Sequence, residues 1–403
     1  MNHIGFTSCK GDPDVWMRAA QKDNGDDYWE YVCLYTDDAL VISHDPEPII
    51  RYQIGKYWRV KEDSIGPPDI YLGNKVTKLE LSSGQQCWSF SSSQYVKAAV
   101  NNVQQYLTQR GLSLPKRASS PLTPGYRPEL DTTPELDATQ ASYYMSLVGI
   151  LRWVVELGRI DLTNEVSMMA SMMALPREGH LQQLFHIFAF LKIKHNSEMV
   201  FDPTPPDIDE GQFERKDWSH TVYGDSKDTT PKPNEENYYE PRGLGFVIRA
   251  YVDSDHAGDQ VTRRSRTGFI VLLNNAPVYW FSKRQTGIET STFGSEYMAM
   301  KQCCEYLRGL RYKLRTMGIP VDLPCLILGD NKSVLANSTI PDSVLKKKSN
   351  SIAYHFVREG SARDEWRIAY ISTDENIADM LTKPLYGLKR GKFTSMVLHH
   401  VYQ

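Results

Sequence analysis

The sequence lacks the features that send a chain into a membrane or an oxidising compartment. No apolar run approaches the roughly 20 residues that a spanning helix needs, and no charged, apolar and small-residue signal opens the chain. The six cysteines, Cys9, Cys33, Cys87, Cys303, Cys304 and Cys325, show no paired metal spacing. They read as reduced, structural thiols of an intracellular, soluble protein. A global basic field is missing too: 46 Lys and Arg stand against 49 Asp and Glu, a formal charge of -3. Binding to a polyanion therefore requires local segregation of charge. The candidates are Lys283-Arg284, the helical set Arg308, Arg311, Lys313 and Arg315, then Lys346-Lys347-Lys348, and Lys389-Arg390. Taken singly, each reads more simply as a solvated charged face.

What is present is ample apolar content, 41% over 403 residues, enough for two or three domains with sizeable cores. The chain is organised around Leu244 to Asp259, an apolar run of strand length that ends in carboxylates. A carboxylate carried into a buried sheet is costly unless something binds it, and a divalent cation with oxygen ligands is the natural partner. Asp253 and Asp255 alternate onto one face of that strand, and Asp253 lies deeper in the apolar run.

Further acids appear downstream at element boundaries. Thr290 to Leu314 reads as an amphipathic helix, with Met300, Cys304, Leu307, Leu310 and Leu314 on one stripe and Glu296 in its first turn. Cys325 to Leu328 is a short strand that ends at Asp330-Asn331. Arg367 to Thr373 is another strand, followed by a polar turn and Asn376 to Leu385, which carries Asp379. Taken alone, such acids are ordinary helix-start and turn residues. Asp259, Glu289 and Asp374 read as solvated loop acids.

The wording around these acids resembles the ribonuclease H domain of copia-type retrotransposon Pol polyproteins. The matching stretches, in order, are Asp253 to Asp259, Arg263 to Gly268, Trp280 to Gln285, Gly294 to Ala299, Asp330-Asn331 and Ala378 to Leu385. Such an ordered series is far more specific than any one motif. The resemblance implies that Asp253, Glu296, Asp330 and Asp379 are catalytic, metal-binding carboxylates, with Asp253 preferred over Asp255. It implies nucleic-acid contacts from Lys283, Arg284, Gln285, Arg308 and Asn331. The cofactor it implies is Mg²⁺, with Mn²⁺ as substitute: two ions about 4 Å apart would activate water and stabilise the departing 3′ oxygen. Two departures from the family pattern stand out. Gly294 replaces its first helical glutamate, and Lys348-Ser349-Asn350-Ser351 replaces a histidine-bearing segment, so His355 reads as a helix-surface residue.

Upstream, Val15 to Ala19, Tyr28 to Tyr35 and Ala39 to Ser43 read as strands, the first two joined at Asp23-Asn24-Gly25-Asp26. Between the last two lies Tyr35-Thr36-Asp37-Asp38, which resembles the metal-binding box of reverse transcriptases. The upstream palm and fingers of that family have no counterpart in this sequence, so polymerase activity is expected to be absent. Asp37 and Asp38 remain metal-binding candidates, with a plain Asp-Asp turn as the simpler alternative. Ala141 to Val200 is helical, and Tyr144 to Trp153 resembles the thumb and connection region. Met168, Met169, Met172 and Met173 read as core packing.

The expected fold is α+β or α/β: a truncated palm and helical thumb, then a ribonuclease H-like mixed sheet with flanking helices. Expected boundaries are 1–125 for the palm fragment, 126–201 for the thumb, 202–242 for a polar linker, 243–388 for the ribonuclease H-like unit and 389–403 for a tail. The resemblance implies a hydrolase acting on RNA/DNA hybrids, with the remainder of a Pol polyprotein as protein partner, no membrane, and a cytoplasmic particle or the nucleus as its place. Two other readings stand beside it: a catalytically inert remnant, and a nucleic-acid-binding module without catalysis.

Overall fold

The computed structural model describes residues 1–36, 38–224, 239–345 and 350–399, and within them the chain forms three sheets. The first is an antiparallel meander of β1 (Thr7–Cys9), β2 (Asp12–Gln21), β3 (Asp27–Tyr35) and β4 (Asp38–Ile42). Its β2–β3 turn contains Gly25 at φ 92°, a backbone conformation that Asn-Gly pairs supply at low cost. One turn of helix, α1 (Pro46–Pro48), follows. Phe6, Val32, Ile49 and Ile54 make a small core under the meander.

The second sheet is β5 (Ile70–Tyr71), β6 (Asn74–Glu80) and β7 (Gln86–Ser91), completed by the distant β8 (Met199–Phe201). Between β7 and β8 run α2 (Ser93–Thr108), α3 (Ala138–Glu156), α4 (Thr163–Ala170) and α5 (Glu178–Ile193). Asp137 and Gln140 form a capping box that starts α3. Its buried Tyr144, Leu147, Val148, Leu151, Val154 and Val155 recur at helical spacing. They share one core with Val100, Leu184 and Phe188, and Met168 and Met169 are buried in it as packing residues. In α2 the buried stripe is Val96, Ala99, Val100, Val103 and Leu107. Ala98 is exposed.

The third sheet has the order β11-β10-β9-β12-β13. Strands β9 (Ile248–Ser254), β10 (Arg266–Leu273) and β11 (Ala276–Arg284) are antiparallel, whereas β12 (Cys325–Gly329) runs parallel to both β9 and β13 (Trp366–Tyr370). Helices α6 (Thr292–Thr316), α7 (Lys332–Thr339) and α8 (Ser351–Ala362) contribute to the core that holds Ala250, Val252, Phe269 and Val271. The opposite face, Tyr251, Ile270 and Leu272, packs on the turn Ile377–Leu381 and on α9 (Gly387–Val397). Residues 250 to 252 thus alternate between two cores, as strand parity requires. The mixed α+β architecture is as expected.

Several local expectations are corrected. Within the expected linker, Phe213 and Trp218 are buried, and the Arg358 guanidinium stacks 4.7 Å from the Trp218 ring. These two apolar residues pack within an otherwise polar stretch. The expected tail begins inside α9, whose Phe393 and Val397 are buried. The strand expected at Arg367 to Thr373 is instead Trp366–Tyr370.

The parts are joined through buried polar contacts. Arg390 of α9 donates to Glu165 of α4 at 2.6 Å and to the carbonyl of Asp161. Asp161 also takes two hydrogen bonds from Arg159, at 2.8 and 2.9 Å. The first meander meets the end of α6, where the Tyr31 hydroxyl donates to the carbonyl of Met317 at 2.6 Å.

Candidate active site

Asp253 is the penultimate residue of β9 and is 1% exposed. The parallel register pairs Leu328 with Tyr251, so Asp330, two residues on, emerges beside Asp253 as β12 ends. Glu296 reaches the same place from α6. That helix begins at Thr292 under a Ser291 cap, which puts Glu296 one turn in rather than in the first turn. Oxygens of Asp253, Glu296 and Asp330 all lie within 4.8 Å of one another. Three carboxylates from three elements therefore meet at the end of the central strands.

The position of α6 is held from beneath. Gln285 donates to the Ser295 carbonyl at 2.9 Å and to the Thr267 hydroxyl at 3.1 Å. Asp330 accepts from the Thr373 hydroxyl at 2.7 Å. The Asp253 carboxylate accepts from the Thr382 hydroxyl through Oδ2.

Like charges in a buried site resist ionisation. Burial, followed by repulsion from Asp253 and Asp330, pushes the Glu296 carboxyl up to about 9. Burial likewise pushes Asp253 up to about 6, opposed by Lys383 and Thr382. Acids that repel one another in this way are stabilised when a cation binds between them. An all-oxygen, carboxylate-rich donor set suits a hard divalent ion such as Mg²⁺ or Mn²⁺, so the residues present fit the implied cofactor.

Asp379 is placed differently from the other three. It lies in the Ile377–Leu381 turn, and both of its oxygens are held by lysines: Lys383 at 2.6 Å on Oδ1 and Lys389 at 2.8 Å on Oδ2. Burial alone would raise its pKa, but these two ammonium groups hold it below the usual carboxylate range. Lys383 also lies 3.6 Å from Asp253 Oδ2. Thr382 and Lys383 had been assigned no role from sequence, and Lys389 stood only as part of a candidate basic cluster. The four-residue step from Asp379 to Lys383 is the signal that would have found one of them.

Asp255 does not share the site as strand parity suggested. It lies just past the end of β9, where its side chain accepts from the backbone N–H of Arg266. Asp259 is not a solvated loop acid: it pairs with Arg284 at 2.5 Å and accepts from the Thr262 N–H at 2.7 Å. Asp38 is exposed at the tip of the first meander. Asp37 lies outside the described residues, as do Lys346, Lys347, Lys348 and Ser349.

The expected nucleic-acid contacts divide. Lys283 is exposed on β11. Gln285 is buried, and its amide nitrogen is engaged by the contacts beneath α6. Arg308 is drawn away by Glu365, to which it donates at 2.7 Å, and by the ring of Phe356 at 4.5 Å. Asn331 serves as the cap of α7, accepting from the N–H groups of Ser333 and Val334. His355 lies on α8, where its Nδ1 meets the Tyr223 hydroxyl at 2.7 Å.

No family model matches the chain. The sequence is 24% identical over 396 residues to "Retrovirus-related Pol polyprotein from transposon RE1" of Arabidopsis thaliana, covering 98% of this chain and 23% of that protein. It is 23% identical over 381 residues to "Retrovirus-related Pol polyprotein from transposon TNT 1-94" of Nicotiana tabacum, covering 94% of this chain and 25% of that protein. The chain thus spans about a quarter of the length of the relatives it matches. Among solved structures, it is similar to LC11-RNase H1 in complex with RNA/DNA hybrid, at 16% identity and a TM-score of 0.28, over 34% of this chain and 93% of that one. The likeness to retrotransposon Pol polyproteins read from the ordered motifs is borne out over nearly the whole sequence. No helix among the described residues is long and apolar enough to cross a membrane.

Proposed function

From a chain similar to retrotransposon Pol polyproteins along nearly its whole length, we propose a ribonuclease H that cuts the RNA strand of RNA/DNA hybrids with a divalent cation, Mg²⁺ or in its place Mn²⁺. The observation that carries this is the meeting of Asp253, Glu296 and Asp330 within 4.8 Å. When bound, the cation lowers the pKa of an attacking water and offsets charge at the phosphodiester. Asp253 and Asp330, at adjacent strand ends, would hold the ion with Glu296, whose carboxyl would have to be ionised to serve as a ligand. Asp379, by contrast, serves to hold Lys383 and Lys389 beside the site.

Contacts to the hybrid are left to residues with free faces, of which Lys283 is the one retained from the sequence expectation. A point charge on phosphate carries no sequence information, so cleavage is sequence-independent. Selection of RNA rests on the 2′ hydroxyl and the shape of the hybrid minor groove, and affinity falls with salt.

The test is cleavage of a labelled RNA strand in a hybrid, with Mg²⁺ and with EDTA, by the parent, Asp253→Asn and Glu296→Gln chains. Mg²⁺-dependent cutting that both substitutions abolish is the expected result. A folded parent that does not cut is a catalytically inert remnant, and Mg²⁺-independent binding without cutting marks a binding module.

A further inference from the structure

We propose that Lys383 is a resident cation of this site. Its ammonium occupies the place between Asp253 and Asp379 that a second divalent ion would take, so the chain binds one divalent ion rather than two. The proposal rests on Asp253, Glu296 and Asp330 holding a cation.

The geometry around Lys383 carries the inference. Its Nζ lies 2.6 Å from Asp379 Oδ1 and 3.6 Å from Asp253 Oδ2, bridging the two acids. The remaining Asp379 oxygen is taken by Lys389 at 2.8 Å, and Asp253 Oδ2 also accepts from Thr382. The oxygens that face one another across this gap therefore already have cationic or hydroxyl donors. On the other side of Asp253, Asp330 accepts from the neutral Thr373 hydroxyl at 2.7 Å, and among the described residues no ammonium or guanidinium group forms an ion pair with Glu296 or Asp330, whose oxygens meet those of Asp253.

The backbone favours the same arrangement. Lys383 N–H donates to the Asp379 carbonyl at 3.1 Å, and Thr382 N–H to the same oxygen at 3.3 Å. A turn closed in this way, followed by Pro384, directs the lysine back over Asp379. A divalent ion entering between Asp253 and Asp379 would have to displace charge-assisted hydrogen bonds and then face two ammonium groups at short range. An ammonium already in place supplies positive charge and hydrogen-bond donors to a phosphate oxygen without dehydrating a second ion.

The test counts ions, not turnover. Mn²⁺ binding to the full chain is measured without nucleic acid at neutral pH, by electron paramagnetic resonance and calorimetry. The parent, Lys383→Met, Lys383→Gln, Lys383→Arg and Glu296→Gln chains are compared, with folding checked by circular dichroism. One Mn²⁺ per chain is expected for the parent and for Lys383→Arg, and two for Lys383→Met and Lys383→Gln. Two ions on the parent, with no change on substitution, would overturn the proposal and leave the acid site intact. A parent that binds no Mn²⁺, or a Glu296→Gln chain that binds it as the parent does, would overturn the underlying site itself.

Discussion

Gly268 stands directly across the antiparallel ladder from Asp253, and no side chain would fit there. A Cβ at residue 268 would come within 2.7 Å of Thr382 Cγ2, 2.8 Å of Leu381 Cβ and 3.0 Å of the Leu381 carbonyl carbon. The turn that bears Thr382 and Lys383 rests on the bare backbone of β10. Gly268→Ala must push that turn away, at about 1–3 kcal/mol for an overpacked contact. The expected outcome is a lower urea midpoint together with weakened Mn²⁺ binding. A variant equal to the parent in both would show that the turn does not depend on this contact.

Stability of the metal-free chain should fall as pH rises. The Glu296 carboxyl is raised from 4.5 to about 9, so across that window the folded chain keeps a proton that the unfolded chain has released. Its contribution to stability is then lost with rising pH, at up to about 1.4 kcal/mol per pH unit. Urea midpoints at pH 5, 7 and 8.5 should decline in the parent and decline less in Glu296→Gln. Identical slopes in the two chains would refute this.

The same protonation makes cation binding a proton-releasing event. At pH 7 about one proton should leave Glu296 for each ion taken up. Calorimetry in two buffers of different ionisation enthalpy reads this directly. A heat that does not depend on the buffer would mean that Glu296 is already ionised or does not bind the ion.

Arg390→Met should unfold the chain more readily without touching the acids. Arg390 is buried against Glu165 and the Asp161 carbonyl, and removing one partner of a buried charge pair costs roughly 3–5 kcal/mol. Thermal melting should register the loss, and a double substitution with Glu165→Gln should recover part of it. A purely additive double variant would argue against direct coupling.

The three-acid site was legible through the ordered motifs that resemble a ribonuclease H domain. Strand parity left Asp253 and Asp255 on one face, and only the depth of Asp253 in its apolar run favoured it, while the helical stripe of α6 placed Glu296 near the start of that helix. The surrounding polar residues were not legible, since their partners are remote in sequence. Arg308 is held by Glu365, and Gln285 by Ser295 and Thr267, contacts that only the tertiary fold creates. Asn331 shows a second difficulty: an asparagine just before a helix is equally a cap and a ligand contact, and here its side-chain oxygen accepts from the backbone N–H groups of Ser333 and Val334. Phe213 and Trp218 were lost in a stretch whose average polarity suggested a linker.

The Arg390 contact also bears on how the chain comes apart. Helix α9 follows the third sheet in sequence yet inserts its arginine among residues of α4 and the turn before it. A protease that nicks the exposed residues 209 to 212 would leave two fragments still clasped by a buried ion cluster, which should travel together through gel filtration until a denaturant separates them.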